Sequence, residues 1–307
     1  MSPDFTVAVI VAIVTAATPI LIAALGELVV EKSGVLNLGV EGMMLIGAVT
    51  AFVVSVTTGI PALGALAAMA AAAASSLIFA YLTLTLTANQ VATGLALTIF
   101  GTGVSALAGA SFVGITTPGF TSIFPAALAN DPLWRVLFGY SPIVYVSLAL
   151  TFGVWWFLKH SRAGLVLRAV GENDASAHSI GYPVLKVRYL AVLFGGAMAG
   201  LGGSFYSLVL TPMWAERLTA GRGWIAIALV VFASWRPGRL LLGAYLFGAV
   251  ITLELQAKAA GWSFLAPEFL TALPYLATIL VLALISGRTR TRSAAPACLG
   301  KPFRATA

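Results

Sequence analysis

FTVAVIVAIVTAATPILIAALG, residues 5–26, carries no charged side chain. It is as long as the roughly 20 apolar residues that a helix needs to cross a bilayer. Further apolar runs lie at 41–58, 61–87, 91–110, 142–158, 188–210, 222–235, 239–257 and 271–287. They are continuous rather than alternating, so they read as helices and not as strands of a membrane barrel, whose lumen-facing positions would interrupt them. The composition agrees, with 60% of the 307 residues hydrophobic and 9% charged and a mean hydropathy of +1.01. So few polar groups cannot clothe a surface in water. The expected fold is all-α: a polytopic transmembrane helical bundle of about nine helices over residues 1–287, then a basic cytoplasmic tail, 288–307. The run at 222–235 is short for a span and is expected to begin inside the membrane. No basic residue precedes the first run, which outlasts a signal peptide, so it is expected to stay as a helix.

The net charge of +7 describes topology rather than a nucleic-acid surface, and no nucleic-acid partner is expected. Lys159, Arg162, Arg168, Lys186 and Arg188 crowd into one connection, and Arg288, Arg290, Arg292, Lys301 and Arg304 into the tail. Cytoplasmic loops are enriched in such residues, so both segments are expected inside, with Lys32, Arg236 and Arg239. The N-terminus and the 111–141 loop, rich in proline and glycine, then fall outside. Cys298 is the single cysteine, so no disulfide can form within the chain.

Polar residues in an apolar chain mark what needs explaining. In the segment Gly34-Val35-Leu36-Asn37-Leu38-Gly39-Val40-Glu41-Gly42, three glycines, an amide and a carboxylate interrupt the apolar pattern. It is either a cytoplasmic turn capped by Asn37 and Glu41 or a broken helix over about 33–43 that lines a path, since irregular backbone survives at membrane depth only where protein buries it or a cavity borders it. Asn89, Gln90 and Thr93 open the fourth run, where Asn89 either caps a helix or joins the same path. Glu254 and Lys258 are four apart and read as an ion pair.

The 159–187 loop contains Gly171-Glu172-Asn173-Asp174-Ala175-Ser176-Ala177-His178-Ser179-Ile180-Gly181-Tyr182-Pro183. Asn173 or Asp174 can cap a short helix there, and Gly181 and Pro183 can stop it. Such a helix is either a solvated loop element or a dock for another protein. Gly196, Gly200 and Gly203 on the sixth run allow close helix approach, within one subunit or at an interface between two. The chain has no phosphate-binding loop, no paired cysteines for a metal, and no HExxH or GxSxG motif, so neither catalysis nor a cofactor is expected.

At these segments the chain resembles the membrane permease subunits of ABC importers, in the branched-chain amino-acid and simple-sugar permease family. SGVLNLGVEGMMLIGA (33–48), RAVGENDASAHSIGYPVLKVRYLAVLFGGAMAGLGG (168–203) and AGRGWIAIALVVFASWRPG (220–238) carry the resemblance. The Glu41 form of the first segment and ANQVATGLAL (88–97) are most similar to the nucleoside-type branch. The resemblance implies a multi-pass protein of the bacterial inner membrane, paired with a second related permease. It also implies two copies of an ATP-binding subunit, which would bind the ATP, and an external substrate-binding protein or lipoprotein. Asn37, Glu41, Asn89, Gln90 and Thr93 would belong to the substrate pathway. Gly171, Glu172, Asn173, Ala177 and Gly181 would belong to the helix that couples to the ATP-binding subunit. Nucleosides or related purine compounds are the expected cargo, with a simple sugar second. A self-sufficient transporter using Glu41 or Glu254 for proton coupling is the competitor from another class.

The charge asymmetry generates the first prediction. A cysteine placed at Ser176, with Cys298 replaced by serine, will resist a membrane-impermeant thiol reagent in intact cells and react once the cells are permeabilised. Reaction in intact cells would reverse the threading.

Overall fold

In the computed structural model, residues 3–129, 131, 134–260, 269, 272, 273, 276, 279, 283 and 295–304 are described. Helix α1, Pro3–Lys32, is followed by α2, Val40–Thr58, and α3, Pro61–Ala80, which widens into a π-helical turn at Tyr81–Thr85. Next come α4, Gln90–Gly109, and two single-turn helices, α5, Ala126–Ala129, and α6, Arg135–Phe138. Helix α7, Pro142–His160, leads into α8, Arg162–Glu172, and α9, Asp174–Ser179. Helix α10, Val184–Phe205, ends in a second π-helical turn at Tyr206–Leu210, and α11, Arg222–Phe232, and α12, Pro237–Ala259, follow. Among the described residues, 7 helices are long and apolar enough to span a bilayer, and α11 is an apolar helix too short to do so. No strand forms among them, only isolated bridges of Val113 with Trp214 and Thr116 with Met213. The expected helix at 271–287 lies outside the described residues except for scattered positions.

Local chemistry sets several of these boundaries. Pro61, Pro142 and Pro237 occupy first turns, where a missing N–H costs nothing. Gly59 ends α2 with φ 73°, a left-handed cap that glycine adopts without strain. The first helix does not end at Gly26 as the apolar run suggested. It continues to Lys32 and carries Glu27 and Glu31 into the core, because both carboxylates meet hydrogen-bond donors there.

Helix α1 is the axis of the bundle. Between Ala17 and Glu31 its side chains, from Ile20 to Leu28 above all, are almost wholly buried against α7, α10, α11 and α12. Helix α10 packs in turn on α2 and α3 through glycines. A Cβ on Gly196 would come within 2.6 Å of Ser76 Cβ, one on Gly200 would strike the Ala68 carbonyl, and one on Gly203 the Met44 carbonyl. These three glycines therefore serve contacts inside one chain. At the other extreme, α4 turns Ile99 and Leu107 outward, 74% and 82% exposed, as a helix in contact with lipid or with another subunit does.

Gly203→Leu tests that packing. A side chain cannot displace a backbone carbonyl, so the cost should exceed the roughly 1–3 kcal/mol of ordinary overpacking. We expect loss of monodisperse protein on detergent size exclusion, whereas Gly103→Leu, at a position with nothing within 4 Å of an added Cβ, should behave as wild type.

Candidate functional site

The unusual chemistry gathers around the break between α1 and α2. Helix α1 closes with Gly34 at φ 91°, its N–H bonded to the Glu31 carbonyl at 2.9 Å. Val35 N–H still reaches back to the Val30 carbonyl at 3.4 Å; the chain then leaves the helix inside the bundle, turns at Leu38 and Gly39, and has much of its backbone satisfied by side chains. Leu36 N–H donates to Gln90 Oε1 at 2.8 Å, and Asn37 N–H to Glu27 Oε1 at 3.1 Å. Gly39 N–H donates to Asn37 Oδ1 at 2.9 Å, while the Leu38 carbonyl accepts from Thr98 Oγ1 at 3.1 Å. Buried backbone groups must be paired, and here four side chains do the pairing that a helix would otherwise do for itself. The close approach of α4 depends on Gly94, whose added Cβ would sit 2.7 Å from Leu38 N.

Asn37 is fully buried at 0% exposure and Glu41 nearly so at 6%, which rules out a turn in bulk water. Glu41 reaches from the first turn of α2 to the start of α11. Its Oε1 accepts from Thr219 Oγ1 at 2.5 Å and from Gly221 N–H at 2.8 Å, and its Oε2 from Gly223 N–H at 2.6 Å. The first N–H groups of a helix have no partner within it and carry partial positive charge, so a carboxylate there is doubly favourable. The loop that delivers these groups pairs with residues 113–117 at Trp214 and Met213 and arrives at Glu41 a few residues later. Arg222, the first residue of α11, lies over the Tyr206 ring at 5.1 Å.

The other candidates divide. Asn89 is exposed and caps α4, accepting from Ala92 N–H at 3.0 Å. Gln90 belongs to the break, buried, with its Nε2 unpartnered. Thr93 is half-buried one turn along the same helix. At the α8–α9 corner, Asn173 caps α9 by accepting from Ser176 N–H at 2.9 Å. Glu172, Asn173 and Gly181 face outward, with Ile180 and Tyr182 beside them. Gly171 and Ala177 face inward instead: Ala177 packs with Val170 and Val184, and a Cβ on Gly171 would strike the Lys32 carbonyl. Both are buried in the packing of the corner. Glu254 and Lys258 pair at 2.7 Å.

Three residues that the sequence reading passed over complete the arrangement. Glu27 and Glu31, one turn apart on α1, are 1% and 0% exposed. Trp235 Nε1–H donates to Glu31 Oε2 at 2.5 Å. Ser234 and Trp235 hold φ near +50°, a conformation that bulky side chains rarely adopt, so the turn between α11 and α12 is pinned to α1 under strain. The available signal was the spacing of Glu27 and Glu31, four apart in a segment that otherwise continues the apolar run. A groove of about 820 Å³ between α7, α8 and α10, walled by Leu150, Phe157, Leu190 and Phe194, shares no residue with the break.

Residues 9–285 match the family described as the permease component of branched-chain amino acid transport systems. A protein of Haloferax volcanii, provisionally named a glucose ABC transporter permease, is 41% identical, over 96% of this chain and 97% of its own. A guanosine ABC transporter permease of Bacillus subtilis is 32% identical over 94% of this chain and 93% of its own. A nucleoside ABC transporter permease of Lactococcus lactis is 29% identical over 88% and 90%.

The geometry at Glu41 generates a graded expectation. Glu41→Ala leaves three donors unpaired, two of them buried at about 1–3 kcal/mol each, and should lower the thermal midpoint markedly. Glu41→Gln keeps one acceptor and should fall between wild type and alanine. Equal midpoints for the three proteins in one detergent would contradict the capping role.

Proposed function

The chain belongs to the family of permease components of branched-chain amino acid transport systems, and from that premise we propose that it carries nucleosides or related purine compounds as the membrane subunit of an ATP-driven importer. It is a transport permease of the ABC class, not an enzyme, and a multi-pass protein of the plasma membrane. Family membership removes the reading of a self-sufficient proton-coupled transporter. The observation that carries the cargo assignment is the similarity, over nearly the whole chain, to permeases named for guanosine and for nucleosides. The relative named for glucose, at 41% identity, supports a simple sugar as the second reading. Both cargo classes present ring hydroxyls in need of hydrogen-bonding partners, so the two readings ask similar chemistry of the path.

On this reading a separate ATP-binding subunit supplies the energy, an external binding protein delivers the cargo, and a second related permease completes the path. The outward face of the α8–α9 corner, with Glu172, Asn173, Ile180, Gly181 and Tyr182, is the surface offered to the ATP-binding subunit. Asn37, Glu41 and Gln90 shape the path by holding the break between α1 and α2 in place, as broken helices do in other transporters.

Uptake into vesicles containing the assembled transporter is the test. Labelled guanosine or adenosine should accumulate only with ATP, and collapse of the proton gradient should leave uptake unchanged. Competition by unlabelled glucose but not by nucleosides would replace the first cargo by the second. The chain purified alone should hydrolyse no ATP.

A further inference from the structure

The 159–187 loop and the basic tail 288–307, to which the 295–304 segment belongs, read in sequence as two separate cytoplasmic pieces. In the structure they form one body with the turn that ends α1. Cys298 N–H donates to the Gly171 carbonyl at 2.9 Å and Cys298 Sγ to the Glu172 carbonyl at 3.6 Å. Those carbonyls belong to the last turn of α8, where helical partners run out. Gly300 N–H donates to the Gly34 carbonyl at 3.1 Å. Phe303 packs on Val170, Ala177 and Val184 and meets the His178 ring edge-on at 5.5 Å between centroids. The segment thus holds the C-terminal end of α8, one face of α9 and the start of the break at once.

Arg188, from the first turns of α10, ties the same parts together from below. Its side chain is fully buried, and the fork of its guanidinium reaches three ways. Nε donates to the Ser33 carbonyl at 3.1 Å, Nη1 to the Lys301 carbonyl at 3.4 Å and Nη2 to Asp174 Oδ2 at 3.0 Å. A planar guanidinium suits such a junction, since its donors are held at fixed angles and a displacement of one acceptor strains the others. Asp174 is the first residue of α9, Ser33 opens the break, and Lys301 belongs to the 295–304 segment.

We propose that the Ala295–Arg304 segment is a coupling strut, which locks the α8–α9 corner to the Ser33–Gly39 stretch so that displacement of the corner is delivered to the break between α1 and α2. This rests on the reading of the corner as the site on which the ATP-binding subunit acts. Without the strut, the corner keeps the Asp174 to Arg188 to Ser33 path and the close approach of Gly171 to Lys32 and Gly34, but α8 loses the cover of its last carbonyls and α9 loses the packing of Phe303. The corner would then yield locally under load. Cys298, Gly300, Lys301 and Phe303 are positioning residues on this account; none is asked to touch cargo or nucleotide.

Two measurements on the full transporter, with its partner subunits, test the strut. The native thiol of Cys298, only 9% exposed, reports docking: maleimide labelling should be slow in wild type and about tenfold faster in Phe303→Ala. Labelling of wild type as fast as the denatured chain would overturn the docked arrangement. Uptake per ATP hydrolysed should fall about tenfold in Phe303→Ala, and in a chain ending at Ala294, while ATP hydrolysis and the amount of assembled complex stay near wild type. Undiminished uptake by both variants, alongside ATP-dependent uptake by wild type, overturns the strut and leaves the transport reading standing. Loss of the ATP-binding subunit on purification of either variant also overturns it, because the segment would then be a direct contact. Wild-type vesicles that show no ATP-dependent uptake overturn the transport reading itself, which the labelling arm does not depend on. Should the shortened chain fail to reach the membrane, Phe303→Ala alone decides.

Discussion

A peptide group buried in protein has no water to bond with, and between the last bond of α1 at Val35 N–H and the first of α2 at the Gly39 carbonyl the chain has no helix to bond within. Its donors and acceptors are met by Gln90, Glu27, Asn37 and Thr98, drawn from α4, α1 and the stretch itself. Removing one such partner leaves a buried group unpaired at about 1–3 kcal/mol, so these polar side chains are held in place by the backbone they serve. That requirement explains why a chain with 9% charged residues places two amides, Asn37 and Gln90, and the Glu27 carboxylate in its buried interior.

The placement of α11 follows from this break. By ending α1 at Lys32 and restarting at Val40, the chain puts the first turn of α2 deep in the bundle, alongside the middle of α4, where Gly42 meets Leu97 and Gly101. Glu41 is thereby placed to receive the start of α11, and α11 can be short because it starts at that depth. A full-length helix in its place would need no carboxylate at all. The carboxylate in turn offsets Arg222, a cation at the positive end of the helix, where it would otherwise be disfavoured.

The spans could be read from continuous apolar runs because helix length and bilayer thickness leave little freedom. The cap at Asn173 and the break near Asn37 could also be read, since glycine and short polar side chains have few other uses in such a chain. Partners could not. Asn37 finds Glu27 ten residues back, Glu41 finds Gly223 182 positions away, and Glu31 finds Trp235 204 away. Only packing brings these together. Nor does sequence alone say which face of a six-residue helix is inward; at Ala177, Val170, Val184 and Phe303 decide it. The docking of residues 295–304 was hidden because its bonds are made mostly by backbone groups, which every sequence possesses.

The stretch between Ser33 and Gly39 is also where the bundle can yield at least cost. A helix resists bending through a continuous ladder, in which each displaced residue strains its neighbours. Here each tie is a single side-chain contact of about 1 kcal/mol net, and each can exchange without disturbing the next. The ties to α1 and α4 hold the middle of the stretch, whereas its two ends are bound elsewhere: Gly34 to the 295–304 segment, and the helix beyond Gly39 through Glu41 to α11. Under the coupling proposed above, force applied at the α8–α9 corner would meet the three-way junction at Arg188 first and the Ser33–Gly39 stretch second. Motion would concentrate between them, at the point where two interrupted helices meet, and the long helices around it could keep their contacts while the centre of the bundle changes shape.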